Sequence, residues 1–252
     1  MTPSAPYARL LRPETATGAG AQTLLLVLLG GTTGLGPAGW LAGVVFTVAT
    51  WAMLTRALRR SWPRHPFGPA NGVTLARATL VGGVTALVAD SFVSRPPVAV
   101  LVVLTTVALV LDAVDGQVAR RTGTESALGA RFDMEVDAFL ILVLSVHVAM
   151  SLGAWVLLIG AMRYVFVAAA RVLPWLNGPL PPSMARKTVA ALQGIVLLFA
   201  AARIVPGLPV YAAVLGALAL LVWSFGRDIR WLWRVRIRES ASVVREMKNE
   251  RV

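Results

Sequence analysis

The chain has 252 residues, of which 57% are hydrophobic and only 14% are charged, and its mean hydropathy is +0.71. A typical soluble domain is about 25% charged, so this composition argues against a soluble enzyme with a single core. Cysteine is absent, which excludes disulfides, thiolate nucleophiles and cysteine-ligated zinc or iron–sulfur clusters. The net charge of +12 indicates anchoring on the cytoplasmic side of a membrane rather than binding to nucleic acid.

The first part of the chain predicts a hairpin of two hydrophobic segments. A polar tail over residues 1–21 precedes the segments Thr23–Leu35 and Ala38–Leu58. The connector that follows is too charged to span a membrane and is broken by prolines, so it is predicted to lie at the cytoplasmic interface. Its residues include Arg56, Arg59, Arg60, Pro63, Arg64, His65, Pro66 and Pro69.

Six further apolar segments follow the connector, and each is long enough to cross about 30 Å of hydrocarbon as a helix. They cover residues 72–90, 97–115, 133–151, 154–173, 187–204 and 209–226. The fold class expected is therefore an all-α polytopic membrane protein with an extra N-terminal hydrophobic hairpin and cytoplasmic termini. The basic tail, residues 227–252, is either an amphipathic segment on anionic lipid or a solvated flank.

The distribution of basic residues supports this topology. Threading the segments alternately across the membrane places Arg95 and Arg203 outside and Arg77 and Arg163 within helices. The other 20 basic residues fall on the cytoplasmic side, as the positive-inside rule requires.

Half of the acidic residues lie close together in the middle of the chain. Asp112 and Asp115 are three apart at the end of one apolar segment, and Asp133 and Asp137 are four apart at the start of the next. Each pair shares a helix face, so the four carboxylates are expected to converge near the membrane surface. An all-oxygen ligand set favours Mg²⁺, Mn²⁺ or Ca²⁺ over zinc.

Two simpler interpretations of the four aspartates remain open: ion pairs with nearby arginines, and solvation at the mouth of a loop. The arginines are Arg120, Arg121 and Arg131, and two further acids, Glu125 and Glu135, are expected to be solvated or paired. His147, alone in an apolar helix, is expected to be a packed residue rather than a ligand.

The string LDAVDGQVARRTGTESALGARFDMEVD carries eight spaced positions: Asp112, Asp115, Gly116, Ala119, Arg120, Gly129, Asp133 and Asp137. This pattern resembles the complete signature of the class I CDP-alcohol phosphatidyltransferase family, of the bacterial phospholipid-synthesis type. A looser Asn-x-x-Thr-x-x-Arg stretch, Asn71, Thr74 and Arg77, resembles the opening of the family's first helix. The resemblance covers a six-helix catalytic membrane domain, residues 68–226, and leaves residues 1–67 outside it.

The resemblance implies that an alcohol displaces CMP from CDP-diacylglycerol, in phospholipid biosynthesis. Asp112, Asp115, Asp133 and Asp137 would hold two ions, Mg²⁺ or Mn²⁺, and Asp137 would also be the general base. Arg120 would bind the diphosphate. The remaining residues expected to contact the CDP group are Gly116, Ala119, Gly129, Asn71 and Thr74. The resemblance also implies a homodimer.

The sequence says less about the acceptor alcohol than about the reaction. Arg163 within a membrane helix, followed by Arg186 and Lys187, suits an acceptor that carries phosphate. The Arg-Lys-Thr-x4-Gln run from Arg186 to Gln193 resembles a stretch of phosphatidylglycerophosphate synthases, with different spacing. Glycerol 3-phosphate or inositol phosphate is therefore the expected acceptor, with serine, inositol and phosphatidylglycerol as alternatives.

Two other classes of function fit the sequence less well. A cation transporter would place acids near the bilayer midplane and show an internal repeat, and neither is visible. An inactive membrane scaffold is disfavoured by the intact signature. The composition, rich in Arg, Ala, Val and Leu, suggests a bacterial plasma membrane, with the active site facing the cytoplasm and no nucleic-acid partner.

Overall fold

The computed structural model describes residues 13–61, 69–122, 127–204 and 207–249. Within these ranges all regular secondary structure is helical. The eight α-helices are α1 (Pro13–Thr33), α2 (Pro37–Ser61), α3 (Pro69–Asp90), α4 (Val98–Thr122), α5 (Ala127–Leu152), α6 (Leu157–Val172), α7 (Met184–Ala202) and α8 (Leu208–Asn249). Each predicted apolar segment corresponds to one of them, which confirms the all-α prediction.

Local sequence explains where several helices begin. Pro13, Pro37 and Pro69 each occupy the first helical position, where the fixed backbone angle of proline suits a helix and its missing N–H is not needed. Ser183 caps α7 by accepting a hydrogen bond from the backbone N–H of Arg186 at 3.4 Å. The chain turns between α1 and α2 at Gly34, whose φ of 69° is a conformation that glycine adopts without strain.

Six described stretches are long and apolar enough to cross a membrane. They are Pro37–Arg56, Gly72–Asp90, Gly129–Leu152, Ala154–Val172, Met184–Ala202 and Leu208–Ile237. A shorter apolar stretch, Val98–Val114, belongs to α4. Large hydrophobic side chains such as Leu41, Val45 and Val165 are exposed on these helices, which is the surface that lipid would cover. The chain is a polytopic helical membrane protein.

Several helices extend beyond the predicted apolar segments, and α1 and α8 do so the furthest. α1 already begins at Pro13, within the stretch predicted to be a polar tail. α8 continues without a break from Leu208 to Asn249, a helix of 42 residues and therefore about 63 Å long. Because that length exceeds the hydrocarbon thickness, its basic C-terminal part lies beyond the hydrocarbon. The predicted connector lies partly at residues 62–68, with His65, outside the described residues.

Contacts divide the chain into two compact units, residues 1–147 and residues 148–252. In the first unit, α3 is the central helix and packs against α1, α2 and α4. Its side chains Val81, Val84, Ala86 and Leu87 are fully buried. The N-terminal hairpin, to which the sequence assigned no role, is thus part of the packing around α3.

Close approach between helices holds the hairpin against α3. A Cβ on Gly39 would lie 2.9 Å from the carbonyl oxygen of Ala86, and one on Gly82 would lie 2.5 Å from the side-chain amide of Gln22. Small residues at these crossings let the helix backbones come close, as in other membrane helix pairs. At the far end of α3, the buried carboxylate of Asp90 accepts a hydrogen bond from the N–H of Gly36 at 3.0 Å and another from Ser94 Oγ.

In the second unit, α7 packs along α8, and the buried amide of Gln193 donates to the carbonyl oxygen of Ala217 at 2.8 Å. The connection between α6 and α7 forms a 3₁₀ turn, Pro174–Asn177, that packs against α8 through a small core of Ala170, Leu176 and Leu232. The ring of Trp175 meets that of Trp233 edge to face, with centroids 5.4 Å apart. The second half of α8 therefore supports the α6–α7 connection.

Candidate active site

Three of the four predicted aspartates converge in the first unit. Asp112 lies near the end of the apolar part of α4, and Asp133 and Asp137 lie one turn apart at the beginning of α5. One carboxylate oxygen from each lies within 4.8 Å of the others. Their convergence was predicted from the i, i+4 spacing on α5 and from the short connection between α4 and α5. Asp115 also lies on α4, but its side chain is outside the described part of the chain.

The guanidinium group of Arg77, on α3, lies among these carboxylates. Its Nη1 is 3.0 Å from Asp112 Oδ1 and also donates to Asp133 Oδ1, while its Nη2 donates to Asp137 Oδ1. The Arg77 side chain is only 1% exposed, whereas the three carboxylates are 35–42% exposed. The partly exposed carboxylates thus surround a buried cation.

The ion pairs expected from the sequence involved different arginines. Arg131 is exposed, and the side chains of Arg120 and Arg121 lie outside the described residues. From the sequence, Arg77 is a basic residue within a helix and the last residue of the Asn71, Thr74, Arg77 stretch, with no predicted partner. The signal that could have identified it is the same one that singled out Arg163: an arginine inside a membrane helix generally has a functional partner.

The remaining residues predicted to contact the CDP group are placed by their helices. Thr74 is 2% exposed and precedes Arg77 by three positions on α3, so both belong to the buried face of that helix. Gly129 is half-buried on α5 and precedes Asp133 by four positions. Asn71 lies on α3, and Gly116, Ala119 and Arg120 lie on α4, with side chains outside the described residues.

The cations predicted to bind the acceptor lie in the second unit. Arg163 is half-buried on α6, and Lys187 is exposed on the first turn of α7. Arg186 Nη1 lies 3.2 Å from Asp228 Oδ2, and its Nη2 donates to the carbonyl oxygen of Pro181 at 2.7 Å. Arg186 is therefore held by an acid on α8, which the sequence did not predict.

A second arginine supports the start of α7. Arg227 Nη2 donates to Ser183 Oγ at 2.9 Å and lies 3.5 Å from Asp228 Oδ1. The guanidinium group of Arg227 also lies 5.0 Å from the centre of the Trp223 ring. Gln193, part of the stretch that resembled phosphatidylglycerophosphate synthases, joins α7 to α8 and is 2% exposed, which is a packing position.

Three other titratable residues, His147, Glu135 and Glu125, were not predicted to be part of the site. His147 is 4% exposed within α5, in keeping with the expected packed residue. Glu135 is half-buried on α5 between Asp133 and Asp137, and Glu125 lies outside the described residues.

The chemistry of the cluster fits a hard divalent cation. Asp112, Asp133 and Asp137 supply oxygen ligands only, and one oxygen of each lies within the distance that a single ion can bridge after small side-chain rotations. The three carboxylates are half-exposed, so an ion and a phosphate group can reach them. The described residues thus offer three of the four ligands expected from the sequence.

Comparison with known proteins identifies the family. The model of the CDP-alcohol phosphatidyltransferase family matches residues 67–224, which is well over half of the chain and includes all four aspartates and Arg77. The chain matches no curated protein and no solved structure. The matched region, together with the convergence of the signature aspartates from α4 and α5, shows that the chain belongs to the CDP-alcohol phosphatidyltransferase family.

Proposed function

We propose that this protein transfers the phosphatidyl group of CDP-diacylglycerol to a small phosphorylated alcohol and releases CMP. Membership of the family implies transfer from a CDP-alcohol to an alcohol acceptor. The observation that carries the proposal is the cluster of Asp112, Asp133 and Asp137, whose oxygens lie within 4.8 Å of one another. The carboxylates of such a cluster can bind divalent ions, and those ions can in turn neutralise a bound diphosphate.

In the proposed reaction, the acceptor hydroxyl oxygen attacks the phosphorus that carries the diacylglycerol. A new phosphorus–oxygen bond forms to the acceptor, and the phosphorus–oxygen bond to CMP breaks. Asp137 takes the proton of the acceptor hydroxyl, while the bond electrons leave with CMP. The product is a phosphodiester. The protein's own contribution is mainly alignment of the two substrates and electrostatic stabilisation of the transferred group.

The roles of the other residues follow the family signature. Asp112, Asp115, Asp133 and Asp137 would hold two divalent ions, Mg²⁺ or Mn²⁺. When bound, these ions would neutralise the diphosphate and stabilise the charge that develops on phosphorus and on CMP. Arg120 would bind the diphosphate through its forked donors. Gly116, Ala119, Gly129, Asn71 and Thr74 would line the space for cytidine and ribose.

We assign a phosphorylated acceptor, glycerol 3-phosphate or inositol phosphate, on the basis of charge. Arg163 is a half-buried arginine within a membrane helix, and Arg186 and Lys187 begin α7. A phosphate group is the acceptor chemistry that such cations recognise. We further propose a homodimer in a bacterial plasma membrane, with the active site on the cytoplasmic side.

The experiment that tests this function is CMP release by purified protein in detergent, with CDP-diacylglycerol and Mg²⁺. Glycerol 3-phosphate, inositol 1-phosphate, inositol, serine and phosphatidylglycerol are supplied in parallel. We expect CMP release with one of the two phosphorylated acceptors. Release with serine, inositol or phosphatidylglycerol alone would keep the reaction and overturn the assigned acceptor.

A matched pair of variants tests whether the aspartate cluster carries the reaction. Asp137→Asn is expected to reduce turnover by a factor of about 100 or more, the usual contribution of a general base, and to retain binding of the CDP-lipid. Glu135→Gln removes one acid from the same helix and is expected to leave turnover unchanged. Equal activity of Asp137→Asn and wild type would contradict the role of Asp137. Silence of folded wild type with every acceptor would favour an inactive scaffold.

A further inference from the structure

We propose that Arg77 is a resident counter-cation that competes with divalent metal ions for the same carboxylates. The inference rests on the metal site of the proposed function and adds a residue that controls its loading. In the absence of metal, Arg77 would hold Asp112, Asp133 and Asp137 together. When an ion binds, these pairs would loosen, so that metal occupancy and arginine pairing oppose each other.

The geometry places Arg77 where a metal would draw its ligands. The guanidinium group contacts one oxygen from each of three aspartates, on two different helices. These are the same three residues whose oxygens lie within 4.8 Å of one another. An ion drawn into that space meets carboxylates whose charge is already partly compensated by the guanidinium group.

Burial makes Arg77 depend on nearby anions. Its side chain is 1% exposed and lies on α3, which packs against α1, α2 and α4. A charged group withdrawn from water in this way requires opposite charge and hydrogen-bond acceptors. The carboxylates, being 35–42% exposed, can exchange one cation for another, whereas Arg77 cannot leave the helix.

The carboxylates need a cation as much as Arg77 needs anions. Three like charges within 4.8 Å repel one another, and without a cation the repulsion would drive α4 and α5 apart. Arginine suits this place better than lysine because its planar fork reaches several oxygens at once. Arg77 therefore preserves the arrangement of the site before an ion arrives.

Electrostatics sets the direction of the effect on metal affinity. A positive charge a few ångströms from a divalent ion repels it enough, even with the screening of bulk water, to weaken binding by about tenfold. Removing the arginine charge should therefore tighten metal binding, although it should also destabilise the metal-free protein. A residue that merely supports the fold would lower the stability of both states and leave the affinity unchanged.

The test compares thermal unfolding of purified wild type and Arg77→Gln in detergent, titrated with Mg²⁺ and Mn²⁺ after treatment with EDTA. Arg95→Gln is the matched control, since Arg95 is exposed in the connection between α3 and α4 and carries the same charge. For Arg77→Gln we expect a lower melting temperature without metal. The concentration for half-maximal stabilisation should fall by about tenfold relative to wild type. Arg95→Gln should match wild type in both.

The outcomes separate this inference from the proposed function. If wild type shows no stabilisation by either ion, the metal site of the proposed function fails. If wild type responds and Arg77→Gln binds metal equally well or more weakly, Arg77 helps to build the site instead of competing, and the inference is wrong. The metal titrations of wild type and of Arg77→Gln are both independent of the identity of the acceptor.

A second measurement covers the case in which Arg77→Gln does not fold. Arg77→Lys keeps the charge, so its half-saturating metal concentration should stay within about threefold of wild type. Nitrogen NMR of arginine-labelled wild type should contain one side-chain signal that Arg77→Lys lacks. We expect that signal to move on addition of Mg²⁺ with the midpoint of the thermal titration. A signal that does not respond would overturn the competition.

Discussion

The three described aspartates of the cluster come from two helices. Asp133 and Asp137 share one face of α5, and Asp112 reaches the same space from α4. Asp112 is therefore the residue that joins α4 to the cluster among the described side chains. Its loss should weaken metal binding without removing the pair on α5.

Asp112→Asn is expected to raise the Mg²⁺ concentration for half-maximal CMP release by about tenfold or more. Partners that only orient metal ligands are already worth about 10–100-fold in affinity, and a direct carboxylate ligand should be worth at least as much. The measurement is an activation curve against Mg²⁺, with Glu135→Gln as the control. An activation curve identical to that of wild type would show that Asp112 is not a ligand.

Helices in this protein are joined by a few buried polar contacts as well as by apolar packing. The turn between α1 and α2 is attached to the end of α3 by Asp90, which is 3% exposed and accepts hydrogen bonds from Gly36 and Ser94. Because lipid and helix interfaces are both apolar, such contacts distinguish one packing from another.

Asp90→Ala is expected to destabilise the protein by about 1–3 kcal/mol, since it leaves the partly buried Gly36 N–H without its acceptor. Asp90→Asn keeps one acceptor oxygen and should lose less. Gly36→Ala should also destabilise, because a Cβ there would lie 2.6 Å from Asp90 Oδ1. Chemical or thermal unfolding in detergent measures all three. Wild-type stability of Asp90→Ala would mean that the hairpin is held by apolar packing alone.

A second buried contact lies between α8 and the α6–α7 connection. Leu232→Ala should cost about 2–5 kcal/mol, because Leu232 is 2% exposed and fills the small core with Ala170 and Leu176. Ile237→Ala, on an exposed position of the same helix, should cost little. Thermal unfolding followed by tryptophan fluorescence reports on the change, since Trp175 and Trp233 lie beside this core. Equal losses for the two variants would contradict the packing role of Leu232.

The distribution of arginine along the chain predicts which ends of the helices face the cytoplasm. The chain contains no cysteine, so single cysteines can be introduced and labelled without background. We expect Val93→Cys and Ile204→Cys to react with an impermeant maleimide from the outside of intact cells. Val172→Cys and Ile237→Cys should react only after permeabilisation. All four side chains are exposed. Labelling of Val172→Cys in intact cells would reverse the predicted orientation.

Several features of the fold and the site could be predicted from local patterns. Hydropathy located an apolar segment in each of the eight described helices, and six of these helices hold stretches long and apolar enough to cross hydrocarbon. Helical spacing placed Asp133 and Asp137 on one face, and the short connection brought Asp112 beside them. The extension of α1 to Pro13 was missed, since a stretch rich in Thr, Ala and Gly carries no strong helical period.

Ion pairs between segments that are distant in the chain could not be predicted from local patterns. The partners of Arg77, Asp133 and Asp137, lie 56 and 60 residues away in the chain. The pairing of Arg186 with Asp228 spans 42 residues. Hydrophobic periodicity does not encode these pairs, because the lipid-facing and helix-facing surfaces of a membrane helix are equally apolar.

The amino-acid sequence by itself determined the helical class, the number of helices in the described residues, the family and the four signature aspartates. Each of these depends on composition or on spacing within one or two neighbouring helices. Only the tertiary structure decided that Arg77 is the cation among the aspartates, that the N-terminal hairpin packs on α3, and that Arg186 is held by α8. The physical reason is that these contacts arise from the choice of helix neighbours, which close packing and a few buried polar groups select.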